Sequence, residues 1–264
     1  MVLVTKKRIF LPTLINKIDN RKNRKNEGGT MNKYMNLQKQ LVVTVEQDDC
    51  DWSPREWGGL SNFYTWERDF YSPDKQNYSD VLEFLGELLG ETLVDKIYNQ
   101  YNDTGSFMDD ITKRLDKLGY ILYPVSKYEH SGVIYSIGVS SGWDSGVVGV
   151  IFAEKKKICN YFNVKKVTQK VRENVLGQFE DEINLYNRYV NGDVCYISIE
   201  NFKGEICDNL SGIYEDIYNT ETMYNFVNEN LDEFIGEISE WEEFNQDEID
   251  EKFLIETVTT VTPR

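Results

Sequence analysis

The chain has one histidine, His130, among 264 residues. A single imidazole excludes any chemistry that needs two. The four cysteines, Cys50, Cys159, Cys195 and Cys207, form no Cys-x-x-Cys pair. With one histidine they cannot complete a zinc site. They read as free thiols in a reducing cytoplasm. No apolar run reaches the ~20 residues that a membrane helix needs. Lys6, Lys7 and Arg8 interrupt the apolar residues near the N-terminus, whereas a secretory signal places its charges before an unbroken apolar stretch. There is no Gly-x-Ser-x-Gly nucleophile elbow, no internal repeat and no cofactor motif, and no cofactor is expected. Positive charge is also scarce: 29 basic side chains stand against 45 acidic ones, for a net charge of -16. A molecule so charged repels nucleic acid as a whole.

The charge is unevenly placed. Residues 1–30 carry eight basic and two acidic side chains. Within them, residues 20–27 have no apolar side chain, which predicts a disordered basic extension. Contact with nucleic acid, if any, is expected only from this arm. Met31 follows Gly28, Gly29 and Thr30 and is a candidate true start. Residues 31–264 are expected to form a single domain whose last third, 177–264, is acidic. That third has 22 acidic side chains against four basic ones.

The apolar periodicity gives the elements. Residues 41–45 read as a β-branched strand. Residues 48–66, with Pro54, glycines and three tryptophans, read as an ordered loop pinned by aromatics. Helical spacing covers 79–101, with Ser79 or Asp80 as cap, and 107–118, stopped by Gly119. Residues 120–125 form a strand. Two apolar runs, 133–139 and 147–153, flank a polar turn and read as a β-hairpin with Asp144 at its tip. A long helix spans 165–190, followed by a strand at 194–199. A last helix is expected over 220–244, with a strand at 253–261. Together these predict an α+β fold: one mainly antiparallel sheet packed by three or four helices, with an acidic C-terminal helical region.

The stretch 128–153 concentrates the candidate chemistry. It contains His130, Ser131, Asp144 and Ser145, the residue types of a Ser-His-Asp triad. Adjacent His130 and Ser131 would point to opposite faces of a strand, so the catalytic alternative is His130, Asp144 and Ser145. This would be a small hydrolase or nuclease-like enzyme. The bland alternative has His130 and Asp144 bonded to each other or to the backbone, fixing the loop. Asp48, Asp49, Asp51 and Asp144 are candidate magnesium ligands, although Asp48 to Asp51 also suit a turn. Beyond residues 1–30, only Lys155 to Lys157 offer a basic path for a nucleic-acid substrate. Trp52, Trp57, Trp66 and Trp143 are read as core rather than as a ligand pocket.

Three blocks of the chain resemble a large family of bacteriophage, plasmid and integrative-element proteins. The first is Ser53-Pro54-Arg55-Glu56-Trp57 with Gly59-Leu60. The second is Tyr128-Glu129-His130-Ser131-Gly132 with Gly142-Trp143-Asp144-Ser145-Gly146 and Gly149-Val150-Ile151. The third runs from Glu182 to Val194, with Ser211-Gly212-Ile213-Tyr214 after it. Their order and spacing match from about residue 41 to residue 236. The chain departs from the family at Gly58, Gly59 and Ser61, where members show Asp, Asn and Gly. It also departs at Glu129, which is often Asp. Members also carry a histidine and an arginine soon after the first block; here Trp66, Glu67 and Arg68 stand nearby and no histidine does.

The resemblance implies a mobile-element accessory protein, a factor of the anti-restriction or anti-CRISPR kind or a structural module of a mobile-element complex. Joined to the acidic C-terminal third, it predicts binding to a host protein with a basic surface, a defence nuclease or effector complex. The candidate partner-binding residues are Glu229, Asp232, Glu233, Glu237, Glu240, Glu242 and Glu243. On one helix face their carboxylates would imitate a row of phosphates.

Overall fold

The computed structural model describes residues 31–49, 52–68, 71–130, 132–140, 142, 144–231 and 235–244. The first expectation met is that of a strand at 41–45, which becomes one arm of a hairpin. β1 (Met31–Asn36) and β2 (Leu41–Gln47) pair antiparallel, with Tyr34 opposite Val43. On the far side of β2 lies β7 (Cys195–Asn201), then β8 (Ile206–Ile213). On the far side of β1 lies β9 (Trp241–Phe244). This five-stranded sheet has the order β8-β7-β2-β1-β9. One of its faces is covered by helix α6 (Thr220–Asn230), through Met223, Phe226 and Val227 against Tyr34, Val43, Val45, Ile197 and Ile199.

A second sheet has the order β3-β6-β4-β5, all neighbours antiparallel, so the expected single sheet is two. Its strands are β3 (Asn62–Thr65), β4 (Tyr120–Glu129), β5 (Val133–Ile137) and β6 (Ser145–Glu154). Alternation along β6 divides the core. Ile151 and Ala153 face α5 (Gln169–Val190), whereas Val150 and Phe152 face a layer of α1 (Val81–Leu89), α2 (Glu91–Tyr98) and α3 (Thr104–Leu118). α5 buries Val171, Val175, Phe179, Ile183 and Tyr186 along one stripe. Each such burial stabilises by about 1.5–3 kcal/mol, before the entropy of ordering is counted. A short helix α4 (Lys155–Tyr161) anchors on Ile158, which is fully buried. The described residues thus hold six α-helices, more than the three or four expected. They belong to one compact unit, Met31–Arg264.

Three differences from the periodicity have physical causes. The helix expected over 79–101 is two, α1 and α2, because Gly90 takes φ +91° between them. Asp80 caps the first, accepting a hydrogen bond from the Glu83 N–H at 2.9 Å. Next, the runs 133–139 and 147–153 do not pair as a hairpin. β4 lies between β5 and β6 and bonds to both. The shorter connection wins: β4 and β5, nearest in sequence, pair directly, so the longer connection from β5 to β6 must cross β4. Ser126 straps that loop down, its hydroxyl donating to the Gly138 carbonyl at 2.7 Å and accepting from the Ser140 N–H at 2.8 Å. Pro124 is tolerated in an inner strand because β5 pairs with β4 only from Val125 onward.

The third difference concerns the acidic C-terminal helix. α6 stops at Asn230; a 3-10 turn (Ile238–Glu240) and strand β9 follow. Gly236 turns the chain at φ +81°, and the open edge of β1 offers backbone partners that a continued helix would leave unmet. Ile235 and Trp241 still reach the core, and the indole N–H of Trp241 donates to the Ile235 carbonyl at 2.9 Å. The expected strand at 253–261 lies outside the described residues, as does the basic extension 1–30.

Asp116 ties α3 to α4 and α5. Its Oδ1 lies 3.0 Å from Lys155 Nζ and 2.7 Å from an Arg172 Nη2. Burial pushes this carboxyl up, but the hydrogen bonds from Lys155 and Arg172 outweigh burial and hold it below its ordinary value. A carboxylate with a lowered folded pKa adds stability that is complete above its unfolded value of about 3.9 and is lost as pH falls through the folded value. Asp116→Asn should therefore lower the urea midpoint at ~pH 7, and the gap to the unmutated protein should narrow as the pH falls below the ordinary carboxylate range. Urea melts of both proteins across that range check this.

Candidate functional site

The three sequence blocks converge on α5. Arg55, in a 3-10 turn (Pro54–Trp57), has a side chain only 7% exposed. It donates to Asp74 through Nε at 2.9 Å and Nη2 at 2.7 Å, and to Glu182 of α5 through Nη1 at 2.8 Å. Glu182 also accepts the backbone N–H groups of Leu60, at 2.7 Å, and Ser61, at 3.2 Å, together with the Ser61 hydroxyl. Burial works against the Arg55 charge, but Asp74 and Glu182 more than offset it and hold its pKa above the ordinary value. Gly59 belongs to this cradle: a Cβ there would sit 2.8 Å from the Glu182 carboxylate. The loop expected to be pinned by aromatics is therefore pinned by an ion network.

α5 also holds β5, the strand that lies between the two halves of the second block. Asn187 accepts from the Tyr135 N–H at 2.8 Å and donates to the Tyr135 carbonyl at 2.9 Å. Asn191 does the same for Val133, at 2.8 and 2.7 Å. Two amides thereby occupy the backbone groups of β5, the edge strand of its sheet, and close that edge. Further along, the Arg188 guanidinium donates to the Tyr214 carbonyl, and Trp57 stacks edge-on against the Tyr214 ring at 5.5 Å. These contacts make the blocks fasteners of the scaffold.

A second buried charge group lies beside the His130 loop. Lys127 on β4 is 9% exposed; its Nζ lies 2.5 Å from Glu67 and 2.8 Å from Glu129. Burial works against the Lys127 charge, and the bonds to Glu129 and Glu67 outweigh it and raise its pKa. The Tyr135 hydroxyl donates to the other Glu67 oxygen at 2.8 Å, and burial together with that bond raises the phenol well above its usual range. Neither Lys127 nor Glu67 stood out in the sequence, where each is one charge among many.

The fold sets the His130 segment beside Asp144 and Ser145, with Tyr128 opposite Ser145 in register, but no hydrogen bond joins the side chains of the three catalytic candidates. His130 and Asp144 are exposed. The His130 ring meets the Tyr128 ring edge-on at 6.5 Å, and no hydrogen bond or ion pair to another described residue engages its side chain. Ser145 Oγ accepts the Gly142 N–H at 2.7 Å and lies 2.9 Å from Ser140 Oγ. Loop closure uses the backbone instead: the Glu129 N–H donates to the Asp144 carbonyl and the His130 N–H to the Gly132 carbonyl, both at 3.2 Å. Ser131 and Trp143 lie outside the described residues. His130→Asn should therefore change stability by less than about 0.5 kcal/mol, the range of ordinary surface substitutions. A denaturant melt checks this, and a loss of more than ~1 kcal/mol would show a buried role.

The other candidates are scattered. Asp48 is buried and accepts the Gly212 N–H at 2.8 Å, a bond that ties β2 to β8. Asp49 is exposed, and Asp51 lies outside the described residues. Among the described residues, no group of three or more His, Cys, Asp or Glu side chains could hold a metal ion. Trp66 packs with the α1–α3 layer and its N–H finds the Tyr78 carbonyl at 3.1 Å, as a core residue should. Trp52 and Trp57 are exposed, contrary to the core expectation.

The acidic residues do not share one helix face. Glu229 lies in the last turn of α6 and Glu237 caps the following 3-10 turn. Glu242 and Glu243 sit on the edge strand β9. Glu240 serves the fold: it accepts Asn36 Nδ2 at 3.0 Å and the Glu237 N–H at 3.2 Å, and the Asn36 bond lowers its pKa. Glu243 accepts Asn32 Nδ2 at 3.0 Å. Asp232 and Glu233 lie outside the described residues. A concave site appears instead beside α6. Glu215, Asp216 and Glu229, all exposed, line a cavity of about 530 Å³ with Ile217 and Phe226. Sequence spacing gave no hint of it, because residues 215–216 meet 229 only through the fold. Among the described residues, no helix is long and apolar enough to cross a membrane. The chain matches no protein-family model, no curated protein and no solved structure.

Proposed function

We propose that this protein is a bacteriophage or mobile-element accessory factor that works in the host bacterial cytoplasm. It binds a host protein through an acidic surface and blocks that protein's handling of nucleic acid. The observation that carries this reading is the acidic cavity beside α6, walled by Glu215, Asp216 and Glu229. Arg188 is the one cation among its lining residues, and its guanidinium is turned to the Tyr214 carbonyl. No basic residue occurs between Lys203 and Lys252, so the surrounding chain supplies no compensation. A cavity with carboxylate walls and an apolar lining suits a basic side chain, whose aliphatic stem and charged head it can meet together. Sites that hold nucleic acid are rich in such side chains. Defence nucleases and effector complexes are the partners of this chemistry. The regular row of helical carboxylates is replaced here by carboxylates gathered around a cavity.

The test uses Glu215→Gln, Asp216→Asn and Glu229→Gln in one protein, leaving Glu237, Glu240 and Glu243 to their structural roles. The expected result is an unchanged fold and at least about tenfold weaker capture of the host partner at low salt. Capture that is equal for both proteins would remove the acidic surface from the interaction.

A further inference from the structure

Beyond residues 1–30, the acidic protein carries a second concentrated basic region. Residues 154–172 contain seven basic side chains and one acidic one, in a chain of net charge -16. The fold folds this segment back on itself. α4 ends at Tyr161, and Asn163 adopts a left-handed φ of 52°. The Val164 N–H donates to the Cys159 carbonyl at 2.9 Å and the Asn163 N–H to the Asn160 carbonyl at 3.3 Å. This reversal brings Lys165 and Lys166 to the same cavity as Lys155 and Lys156, a space of about 520 Å³ also lined by Cys159, Asn160 and Val167.

With the exception of Lys155, the lysines do not pair with carboxylates among the described residues. Lys155 is taken up by Asp116. Lys156, Lys157, Lys165, Lys166 and Lys170 are exposed, and no hydrogen bond or ion pair joins their side chains to another described residue. α5 begins at Gln169 with no acidic residue in its first turn, so the positive end of a 22-residue helix adds to the lysine field. Like charges gathered at this spacing repel one another, and solubility does not require them in a chain already so acidic.

We propose that this cavity binds a polyphosphate, free or as the tail of a nucleotide. Lysine ammonium groups bind phosphate as point charges. No aromatic residue lines it, so it grips charge and not a base. A long nucleic acid would extend into the field of the acidic remainder, whereas a triphosphate stays within the local field, about a Debye length of 10 Å. This site is separate from the acidic surface and does not depend on it.

Calorimetric titration of the full chain tests the proposal, with inorganic triphosphate, ATP, adenosine and a short DNA duplex at one ionic strength. Triphosphate and ATP should bind and adenosine should not. In Lys156→Gln/Lys165→Gln/Lys166→Gln, affinity for triphosphate should fall at least about tenfold, while Lys96→Gln should leave it unchanged. ATP at least about tenfold tighter than triphosphate would assign the natural ligand to nucleotides, and equal affinity would assign it to free polyphosphate; both uphold the site. No heat with triphosphate, affinity unchanged in the triple variant of unchanged melting temperature, or tighter binding of the duplex than of triphosphate would each overturn it.

Discussion

Arg55→Met should destabilise the protein by about 3–5 kcal/mol, the usual cost of removing one partner from a buried ion pair. The substitution keeps most of the side-chain bulk and removes three charge-assisted hydrogen bonds to carboxylates, two to Asp74 and one to Glu182. Glu182, 9% exposed, would keep only bonds to neutral groups while holding its charge away from water. The damage should spread, because Glu182 also holds the Leu60 and Ser61 backbone and thereby the entry into β3. For a chain of this size the melting temperature should drop by at least about 6 °C. Adding Glu182→Gln to Arg55→Met should recover part of the loss, since the amide leaves no stranded charge. A single variant within ~2 °C of the unmutated protein would mean that the cradle is not a determinant of stability.

Lys127→Met is expected to cost about 3 kcal/mol, for a related reason. Glu67 would retain the Tyr135 hydroxyl as its donor and lose the ammonium that balances it. Glu129 suffers less, being 54% exposed and free to turn to water. The control is the pair Lys127→Met and Glu67→Gln. Removal of both charges should destabilise less than removal of Lys127 alone, giving a coupling of at least about 1 kcal/mol in a double-mutant cycle. Additive losses would show that the two charges do not depend on each other.

The elements that periodicity exposed were those whose apolar stripe faces a single layer. α5 shows this best: its stripe of Val171, Val175, Phe179, Ile183 and Tyr186 is legible and buried as expected. α3 ends at Gly119 as read, with the left-handed cap that only glycine takes readily. Pairing was less legible, because apolar runs state that a strand is buried and not which strand lies beside it. β5 and β6 therefore looked like a hairpin although β4 divides them. β8 escaped notice because most of its side chains are exposed or only half-buried, with Ile213 alone fully buried. Leu231, Ile235, Ile238 and Trp241 fit a helical stripe by spacing, yet α6 ends at Asn230 with Leu231 extended, and residues 241–244 pair with the open edge of β1.

The site was less legible than the fold. Blocks distinctive enough to carry a resemblance drew attention to His130, Asp144 and Ser145. The side chains that hold the blocks together are instead Arg55, Glu182, Asn187 and Asn191. The signal that could have found them is the position of Glu182 inside the apolar stripe of α5, between Phe179 and Tyr186, where a lone carboxylate must be paired. Asn187 and Asn191, one helical turn apart, pointed the same way. Nothing in the spacing of Glu215, Asp216 and Glu229 could disclose a shared cavity.

The acidic cavity as a docking site for a basic host protein is tested most directly by the salt dependence of one dissociation constant. The host protein captured by the full chain should be titrated against it and against the Glu215→Gln, Asp216→Asn, Glu229→Gln variant, from about 50 to 500 mM salt. The affinity of the unmutated protein should fall steeply with salt. The variant should start at least about tenfold weaker and show a shallower slope, so that the two curves approach each other at high salt. Parallel curves of equal affinity would contradict the acidic surface as the site of binding.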